Sequence, residues 1–255
     1  MLSFTSATAQ ADVDVEQGGR LASLRIDGRE LLVQPEADPM RWGSYPMVPF
    51  AGRIRRGQFS MNGVTHELPR NLEPHAIHGY GYTSPWTVVD DTTIEWIFGP
   101  PWPFAGRARQ RFALDDSSLR ITMDVDAADA QPLMMGWHPW FRRDIGAGEL
   151  LQLSFGPARM YELDAEAIPT GTLISPPPGP WDNCFTALAA DPVLRWGSAL
   201  TVRLSSSADH WVVYDEPTHA VCVEPQTDAP NAVNRGRTMV DAGTTTSIDL
   251  TLSWA

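Results

Sequence analysis

The sequence predicts an all-β protein of many short strands and long loops. Apolar and polar residues alternate with a period of two in several segments, most clearly in 119–125, 200–204 and 248–252. Turn-forming pairs such as Asp27-Gly28 and Asn62-Gly63 separate these strand-like runs. No segment keeps a helical period, and 22 prolines with 20 glycines disfavour long helices.

Two local segments refine this prediction. Residues 56–68 predict a β-hairpin, because strand-like sequences flank Asn62-Gly63. The proline-rich segment 175–180 has the composition of a linker, but apolar and aromatic residues resume at Trp181, so we expect an internal loop. A β-sandwich of 255 residues commonly forms one unit, and we expect a single domain over residues 1–255.

Composition excludes several classes of function. The formal net charge is -12 and no basic patch is visible, so neither nucleic acid nor an anionic membrane is an expected partner. All 19 basic residues are arginines, which excludes a Schiff-base lysine and the lysine of a phosphate-binding loop. Cys184 and Cys222 are too few for a disulfide framework or a cysteine zinc site. With no signal-peptide pattern and no membrane-length apolar stretch, we expect a cytoplasmic protein.

Four short polar segments carry the side chains that are candidates for catalysis. They are GRI at 52–54, IHG at 77–79, GWHPWF at 136–141 and VEPQTDAP at 223–230. Together they supply one arginine, two histidines and one glutamate, and an imidazole with a carboxylate can pass protons both ways near neutral pH. Their spacing is too long for a local metal-binding loop, so only the fold can bring them together. The pattern predicts a cofactor-free acid/base enzyme, and the surrounding aromatic residues suggest a sugar substrate.

Each of these residues also has a purely structural interpretation. His78 precedes a glycine and could be a hydrogen-bonded loop histidine, while His138 lies in an aromatic run that suits either a proton-transfer group or a core histidine. Arg53, among apolar residues, is expected to pair with a carboxylate or with ligand oxygens, whereas Arg55 and Arg56 look like ordinary surface charges.

The remaining polar candidates also have both a functional and a structural interpretation. Glu224 follows an apolar strand and is either solvated or directed into a pocket, and Asp182 either binds hydroxyl groups or forms a turn. Asp228 is expected to cap its own loop. His75 and His78 have a metal-like spacing but no third ligand nearby, so no metal site is predicted.

Taken together, these segments resemble the aldose 1-epimerase, or galactose mutarotase, family over nearly the whole chain. The resemblance rests on the order and spacing of GGRLASL at 18–24, GRELL at 28–32, PMVPFAGRI at 46–54, GQF at 57–59, Gly63, HEL at 66–68, IHG at 77–79, GWHPWF at 136–141, DNCF at 182–185 and VEPQ at 223–226. It implies a supersandwich of antiparallel strands with an open sugar-binding cleft on one face, and no cofactor.

The resemblance also implies roles for individual residues. Glu224 matches the catalytic base, His138 the catalytic acid and His78 a second active-site histidine. Arg53 and Asp182 match sugar-binding positions, Gln226 lies beside the base, and Trp140 is expected at the sugar.

Two departures set this chain apart from the family pattern. Gly52 stands where the family often has an asparagine, so one polar contact is absent. The run WHPWF at 137–141 stands where the family often has Asn-His-x-Tyr-Phe, as in a divergent bacterial branch whose sugar preferences can differ.

The expected activity is therefore interconversion of the α and β anomers of a hexose. Alternatives are a hexose-6-phosphate mutarotase using Arg142-Arg143, which are more simply a surface pair, and a non-catalytic carbohydrate-binding protein, which would not need both His138 and Glu224. Glycoside hydrolysis by two carboxylates would leave the histidines without a role. The expected partner is a small-molecule sugar, and the expected assembly is a monomer or weak homodimer.

Overall fold

A computed structural model describes all residues from 1 to 255 and confirms the all-β prediction. Three short 3-10 turns, Arg55–Gly57, Gly81–Thr83 and Ala232–Arg235, are its only helical segments. None of them has the length and apolar character to cross a membrane. The strands are β1 (Leu2–Thr5), β2 (Ala9–Asp14), β3 (Arg20–Ile26), β4 (Arg29–Glu30), β5 (Ser44–Met47), β6 (Arg53–Ile54), β7 (Gln58–Met61), β8 (Val64–Glu67), β9 (Ala76–Ile77), β10 (Thr87–Val88), β11 (Thr93–Ile97), β12 (Gly106–Leu114), β13 (Ser118–Ala127), β14 (Gln131–Pro132), β15 (Gly136–Arg142), β16 (Gln152–Ser154), β17 (Pro157–Leu163), β18 (Pro169–Ile174), β19 (Asp182–Leu188), β20 (Val193–Trp196), β21 (Leu200–Ser206), β22 (His210–Tyr214), β23 (Ala220–Gln226), β24 (Met239–Val240) and β25 (Thr245–Trp254).

Two large antiparallel sheets contain most of these strands. The first sheet has 11 strands in the order β1-β2-β3-β5-β15-β23-β22-β19-β17-β18, with β4 paired to β3. The second sheet has 8 strands in the order β10-β11-β12-β13-β25-β21-β20-β16. Three two-stranded ribbons, β6-β9, β7-β8 and β14-β24, complete the structure. One apolar core of 56 buried residues draws on both sheets, as expected for a sandwich.

The three segments with the clearest alternation are neighbours in the second sheet. They fall in β13, β21 and β25, and β25 pairs with the other two. Ile121 lies opposite Leu250, and Leu204 lies opposite Leu252, with all four side chains buried. Because one face of this sheet is solvated, its strands keep the two-residue alternation that the sequence displays.

The central strands of the first sheet are covered on both faces. Residues 136–141 of β15 and all seven residues of β23 are buried. Trp137 points toward the second sheet, where its Nε1 donates a hydrogen bond of 2.8 Å to Gln110 Oε1 on β12. Since side chains alternate along a strand, His138 and Trp140 face the opposite, outer side of the first sheet.

Both local sequence predictions are confirmed. Strands β7 and β8 form a hairpin around Asn62 and Gly63, whose φ angles of 50° and 77° are the left-handed values that a type I′ turn requires. The segment 175–180 is an internal loop between β18 and β19.

Arg20 at the start of β3 is a fully buried arginine that the sequence interpretation missed. Its guanidinium donates to the carbonyl oxygens of Gln17, Pro39, Trp42 and Tyr82 at 2.6 to 3.1 Å. It also lies 4.0 Å from the ring centre of Trp42, and burial lowers the pKa of Arg20 to about 10. A single side chain thus ties together three loops beside the cleft described below.

We predict that Arg20→Leu lowers the free energy of unfolding by at least about 2 kcal/mol, because it leaves several buried carbonyls without a donor. Arg203→Leu is a matched control, since Arg203 is exposed on β21. Chemical denaturation of both variants measures the difference. Equal stability of the two variants would contradict a structural role for Arg20.

Candidate active site

All seven residues singled out from the sequence line one cavity of about 230 Å³ on the outer face of the first sheet. They are Arg53, His78, His138, Trp140, Asp182, Glu224 and Gln226. They come from five strands or adjoining loops that are far apart in the sequence. The fold therefore assembles the scattered polar segments into one cleft.

Glu224 and His138 form the centre of this cleft. The pairing of β15 with β23 sets Gly136 opposite Gln226 and Trp140 opposite Cys222, which brings His138 opposite Glu224. His138 Nε2 lies 3.3 Å from Glu224 Oε1, and the two side chains are only 7% and 2% exposed. The Gln226 amide donates to the other carboxylate oxygen, Oε2, at 3.2 Å.

Burial favours the uncharged form of both members of this pair. It raises the pKa of Glu224 well above the ordinary value, with a smaller contribution from the negative charge of Asp182. It lowers the pKa of His138 to about 3. Between these limits the pair holds a single proton, which either group can carry across the 3.3 Å contact. The arrangement suits a group that gives a proton in one direction and takes it in the other.

Aromatic stacking fixes the plane of the His138 imidazole. The Tyr45 ring stacks on it at 4.9 Å and the Trp140 ring at 5.4 Å, with interplanar angles of 23° and 12°. His219 stacks on Trp140 at 5.9 Å and 13°, so the indole lies between two histidines. Trp140 is 5% exposed. This packing indicates that Trp140 orients His138 and presents little free ring face to the cleft.

The backbone of the neighbouring turn sets the tautomer of His78. His78 has a φ of 64°, an uncommon conformation for a non-glycine residue, and its Nδ1 accepts a hydrogen bond of 3.3 Å from the Gly52 N–H. Its proton is therefore on Nε2. Burial lowers the pKa of His78 well below the ordinary value, with the neighbouring His138 as the next cause. His78 is thus a neutral hydrogen-bond donor rather than a group poised to lose or gain a proton.

Arg53 and Asp182 face each other at the mouth of the cleft. Arg53 Nη2 lies 3.1 Å from Asp182 Oδ2, which confirms that Arg53 pairs with a carboxylate. The next arginine differs from the sequence interpretation. Arg55 contacts the carboxylates of both Asp164 and Glu166 and is only partly exposed, so its interpretation as an ordinary surface charge is wrong.

A close contact with the loop after β23 requires glycine at position 52. Its φ is 65°, and a Cβ atom placed on it would lie 2.5 Å from Pro230 Cγ. No larger residue fits unless Pro230 moves. The absence of a side chain at this position is therefore part of the packing that joins Arg53 to the loop following Glu224.

Several lining residues escaped the sequence interpretation. Tyr45 is fully buried, and nothing in its local sequence distinguishes it from a core aromatic residue. Asp38, Met40 and Arg41 line the cleft from the loop before β5, where no pattern indicates a site. His75, in contrast, contacts only backbone: its Nδ1 accepts from the Arg56 N–H at 3.0 Å and its Nε2 lies 3.0 Å from the Glu166 carbonyl oxygen.

The two-sheet architecture and the cleft on its outer face define a galactose mutarotase-like β-sandwich. The chain belongs to the aldose 1-epimerase family, because the family model described as aldose 1-epimerase matches residues 4–253. Family and fold expected from the sequence are thereby confirmed.

Individual relatives are distant. The Escherichia coli K12 protein YphB is 28% identical over 151 residues, an alignment that covers 55% of this chain and 52% of YphB, about half of that relative. A galactose mutarotase-like protein from Clostridium acetobutylicum superposes with a TM-score of 0.86 at 18% identity, covering 99% of this chain and 94% of that one. A galactose 1-epimerase from Lactobacillus acidophilus superposes with a TM-score of 0.80 at 14% identity, covering 98% of this chain and 92% of that one. At these identities the structures show a shared fold.

We predict that Glu224→Gln becomes progressively more stable than the wild type as the pH rises. The folded-state pKa of Glu224 is raised, so the wild type loses stability as the pH rises above about 4.5, where the unfolded carboxyl group ionises. Glutamine cannot ionise and escapes this loss. Thermal unfolding from pH 4.5 to 8 measures the difference, with the exposed Glu16→Gln as control. A difference between Glu224→Gln and wild type that stays constant with pH would contradict the raised pKa.

Proposed function

We propose that the protein is an aldose 1-epimerase that interconverts the α and β anomers of a hexose. The observation that carries the proposal is the buried contact between His138 and Glu224, which holds one proton at the floor of a polar cleft. Anomer exchange needs a proton removed from the anomeric hydroxyl and another delivered to the ring oxygen, and the reverse after rotation. A carboxyl group and an imidazole that share one proton can serve both ring opening and ring closure.

Burial favours the uncharged pair, so the proposed reaction begins with transfer of the shared proton from Glu224 to His138, which leaves Glu224 ionised and His138 protonated. The Glu224 carboxylate takes the proton from the hydroxyl on C1 while His138 Nε2 gives its proton to the ring oxygen. The C1–O5 bond breaks, a C1=O1 double bond forms, and the pair is left with protonated Glu224 and neutral His138. Rotation about C1–C2 presents the other carbonyl face. Glu224 then returns its proton to O1 as His138 takes the proton from O5, so the pair holds one proton throughout.

The other lining residues would bind and orient the sugar. His78, as a neutral Nε2–H donor, suits a hydrogen bond to an oxygen near the reacting centre. Arg53 and Asp182 offer a donor and an acceptor at 3.1 Å from each other, a combination that matches adjacent sugar hydroxyls. Alignment by such contacts contributes to the rate because the reacting atoms are held in place.

The charge balance of the cleft supports a free hexose over a phosphorylated one. Its two arginines each have a carboxylate partner, Arg53 with Asp182 at 3.1 Å and Arg41 with Asp38 at 3.5 Å. Neither guanidinium is therefore an unpaired positive charge that could neutralise a phosphate. A non-catalytic sugar-binding protein is less well supported, since burying an imidazole and a carboxylate costs stability and contributes nothing to simple binding.

One feature favours a hexose 6-phosphate as the second candidate. Arg142 and Arg143 line a separate cavity of about 500 Å³ beside His219, and strand alternation places Arg142 on the same face as His138 and Trp140. Arg143 is occupied by the carbonyls of Asp215 and Pro217 at 2.6 and 2.9 Å, so Arg142 would have to meet the phosphate. Arg142→Ala would then impair turnover of the 6-phosphates alone.

We predict that Glu224→Gln and His138→Asn each lower the turnover number at least about 100-fold while the fold survives. Glutamine keeps the size of glutamate but cannot accept a proton, and asparagine cannot cycle one. NMR exchange between anomers of glucose, galactose and their 6-phosphates, corrected for the buffer rate, measures the loss. The exposed Glu16→Gln is the control and should match the wild type.

The two substitutions should also be far from additive, because both groups serve one concerted transfer. A folded Glu224→Gln protein with near wild-type turnover would remove Glu224 as the base. Failure of the wild type to accelerate anomer exchange of any of these sugars would refute the proposed activity.

We predict that the turnover number does not fall as the pH drops through the ordinary histidine pKa of about 6.5. Activity requires the pair to hold one proton. The second proton binds only near the lowered pKa of His138, about 3, and the remaining proton leaves only above the raised pKa of Glu224. As the pH drops from 7.5 to 5, the measured rate, after subtraction of the spontaneous reaction, should show no loss with an apparent pKa near 6.5. A loss of rate on acidification with a pKa near 6.5 would contradict the proposal that the pair holds one proton over this range.

A further inference from the structure

A cluster of charged and polar residues around the buried Asp228 lies beside the cleft and has no role in the proposed proton transfer. We call it the Asp228 cluster; its members are Tyr161, His210, Asp228, Arg235 and Arg237. Asp228 Oδ1 lies 3.7 Å from both His210 Nε2 and Arg235 Nη2, and its Oδ2 lies 3.5 Å from Arg237 Nε. His210 Nε2 also lies 3.1 Å from the Tyr161 hydroxyl. Asp228 and His210 are each 7% exposed.

This cluster adjoins the strand that carries the catalytic carboxylate. In the pairing of β22 with β23, His210 lies opposite Gln226 and Val212 lies opposite Glu224. Strand alternation puts His210 on the same face as Gln226, whose amide holds Glu224 Oε2 at 3.2 Å. The Asp228 cluster therefore supports the end of β23 at which the position of Glu224 is set.

The loop 227–231 connects that strand end to the turn bearing Arg53. At its start, the Thr227 N–H donates to the Met135 carbonyl oxygen at 2.9 Å. The Met135 N–H in turn donates to the Thr227 hydroxyl oxygen at 3.0 Å. Near its end, Pro230 packs on Gly52, and Asn231 Oδ1 accepts from the Arg55 N–H at 3.0 Å. A shift of this loop would change the separation between Glu224 and Arg53.

The charge on Asp228 is more than a loop cap requires. Its Oδ1 accepts the Ala229 N–H at 2.7 Å, as the sequence interpretation expects of a capping residue. An asparagine oxygen would serve that bond equally well. Yet the carboxylate is buried with two arginines around it, an arrangement that carries a desolvation cost and in return fixes the geometry of its members.

We propose that Asp228 is a positioning residue that holds the loop 227–231 through its charge, and so sets the placement of Glu224 relative to Arg53. This inference rests on the proposed function, because it concerns the two ends of the same sugar site. Asp228 does not touch the cavity and transfers no proton. It acts through Gln226 on one side and through Pro230 and Asn231 on the other.

Asp228→Asn tests this, because its Oδ1 can keep the Ala229 cap while the negative charge is removed. We expect the turnover number of the folded variant to fall at least about tenfold at 25 °C, since small displacements of catalytic groups have large kinetic effects. Arg235→Gln should also lower turnover, and the double variant should lose less than the sum of the two, because both changes remove the Asp228–Arg235 contact. Asp241→Asn, an exposed aspartate between β24 and β25, is the matched control.

A merely structural role would lower the melting temperature without changing the turnover of folded protein. Wild-type turnover and Michaelis constant in folded Asp228→Asn would therefore overturn the proposal, whatever the melting temperature. If that variant does not fold, Arg235→Gln tests the same contact from the other side.

Hydrogen exchange separates this proposal from the proposed function. The Arg55 and Thr227 amides should exchange faster in Asp228→Asn than in the wild type, while amides of the second sheet keep their rates. Should the wild type accelerate no anomer exchange, the activity proposal fails, and the amide rates still decide whether Asp228 fixes the loop. Unchanged rates at Arg55 and Thr227 would refute it.

Discussion

The structure depends on one buried contact, the 3.3 Å approach of His138 Nε2 to Glu224 Oε1. A carboxyl group that is 2% exposed is costly to ionise, and burial raises the pKa of Glu224 so that its protonated form is favoured beside His138. The contact exists because β15 and β23 are adjacent central strands whose register places the two residues opposite each other. Every other constraint near the cleft limits how these two side chains can move.

Those constraints come from both faces of the first sheet. On the inner face, Trp137 bonds to Gln110 of the second sheet and fixes the strand that carries His138. On the outer face, Tyr45 and Trp140 enclose the imidazole between two rings. Ring stacking restrains the orientation of the imidazole without adding a charge beside it. Rigid placement of this kind is how a scaffold contributes to proton transfer.

The sequence predicts the second sheet well and the first sheet poorly, for a physical reason. Strands such as β13 and β25 have one solvated face and so display the alternation. Strands β15 and β23 are buried on both faces and lose it. Resemblance to a family located the residues of the cleft, but no local pattern could reveal that Arg53 pairs with Asp182, 129 residues away. The roles of Tyr45 and Arg20 could not be predicted for the same reason, because they depend on contacts between segments that are distant in the sequence.

One left-handed non-glycine residue and several unsatisfied polar groups lie where the cleft is built. His78 holds a left-handed φ of 64° at the turn that also bears Gly52, and the buried Nδ1 of His138 and Oε1 of Gln226 have no hydrogen-bond partner. Such features cost stability and persist only where the surrounding packing enforces them. In this protein the enforcing contacts are the two hydrogen bonds between His78 and Gly52, the Pro230–Gly52 contact and the ring stack. The packing around the cleft therefore keeps the His138–Glu224 contact buried and fixed in orientation at a cost in stability.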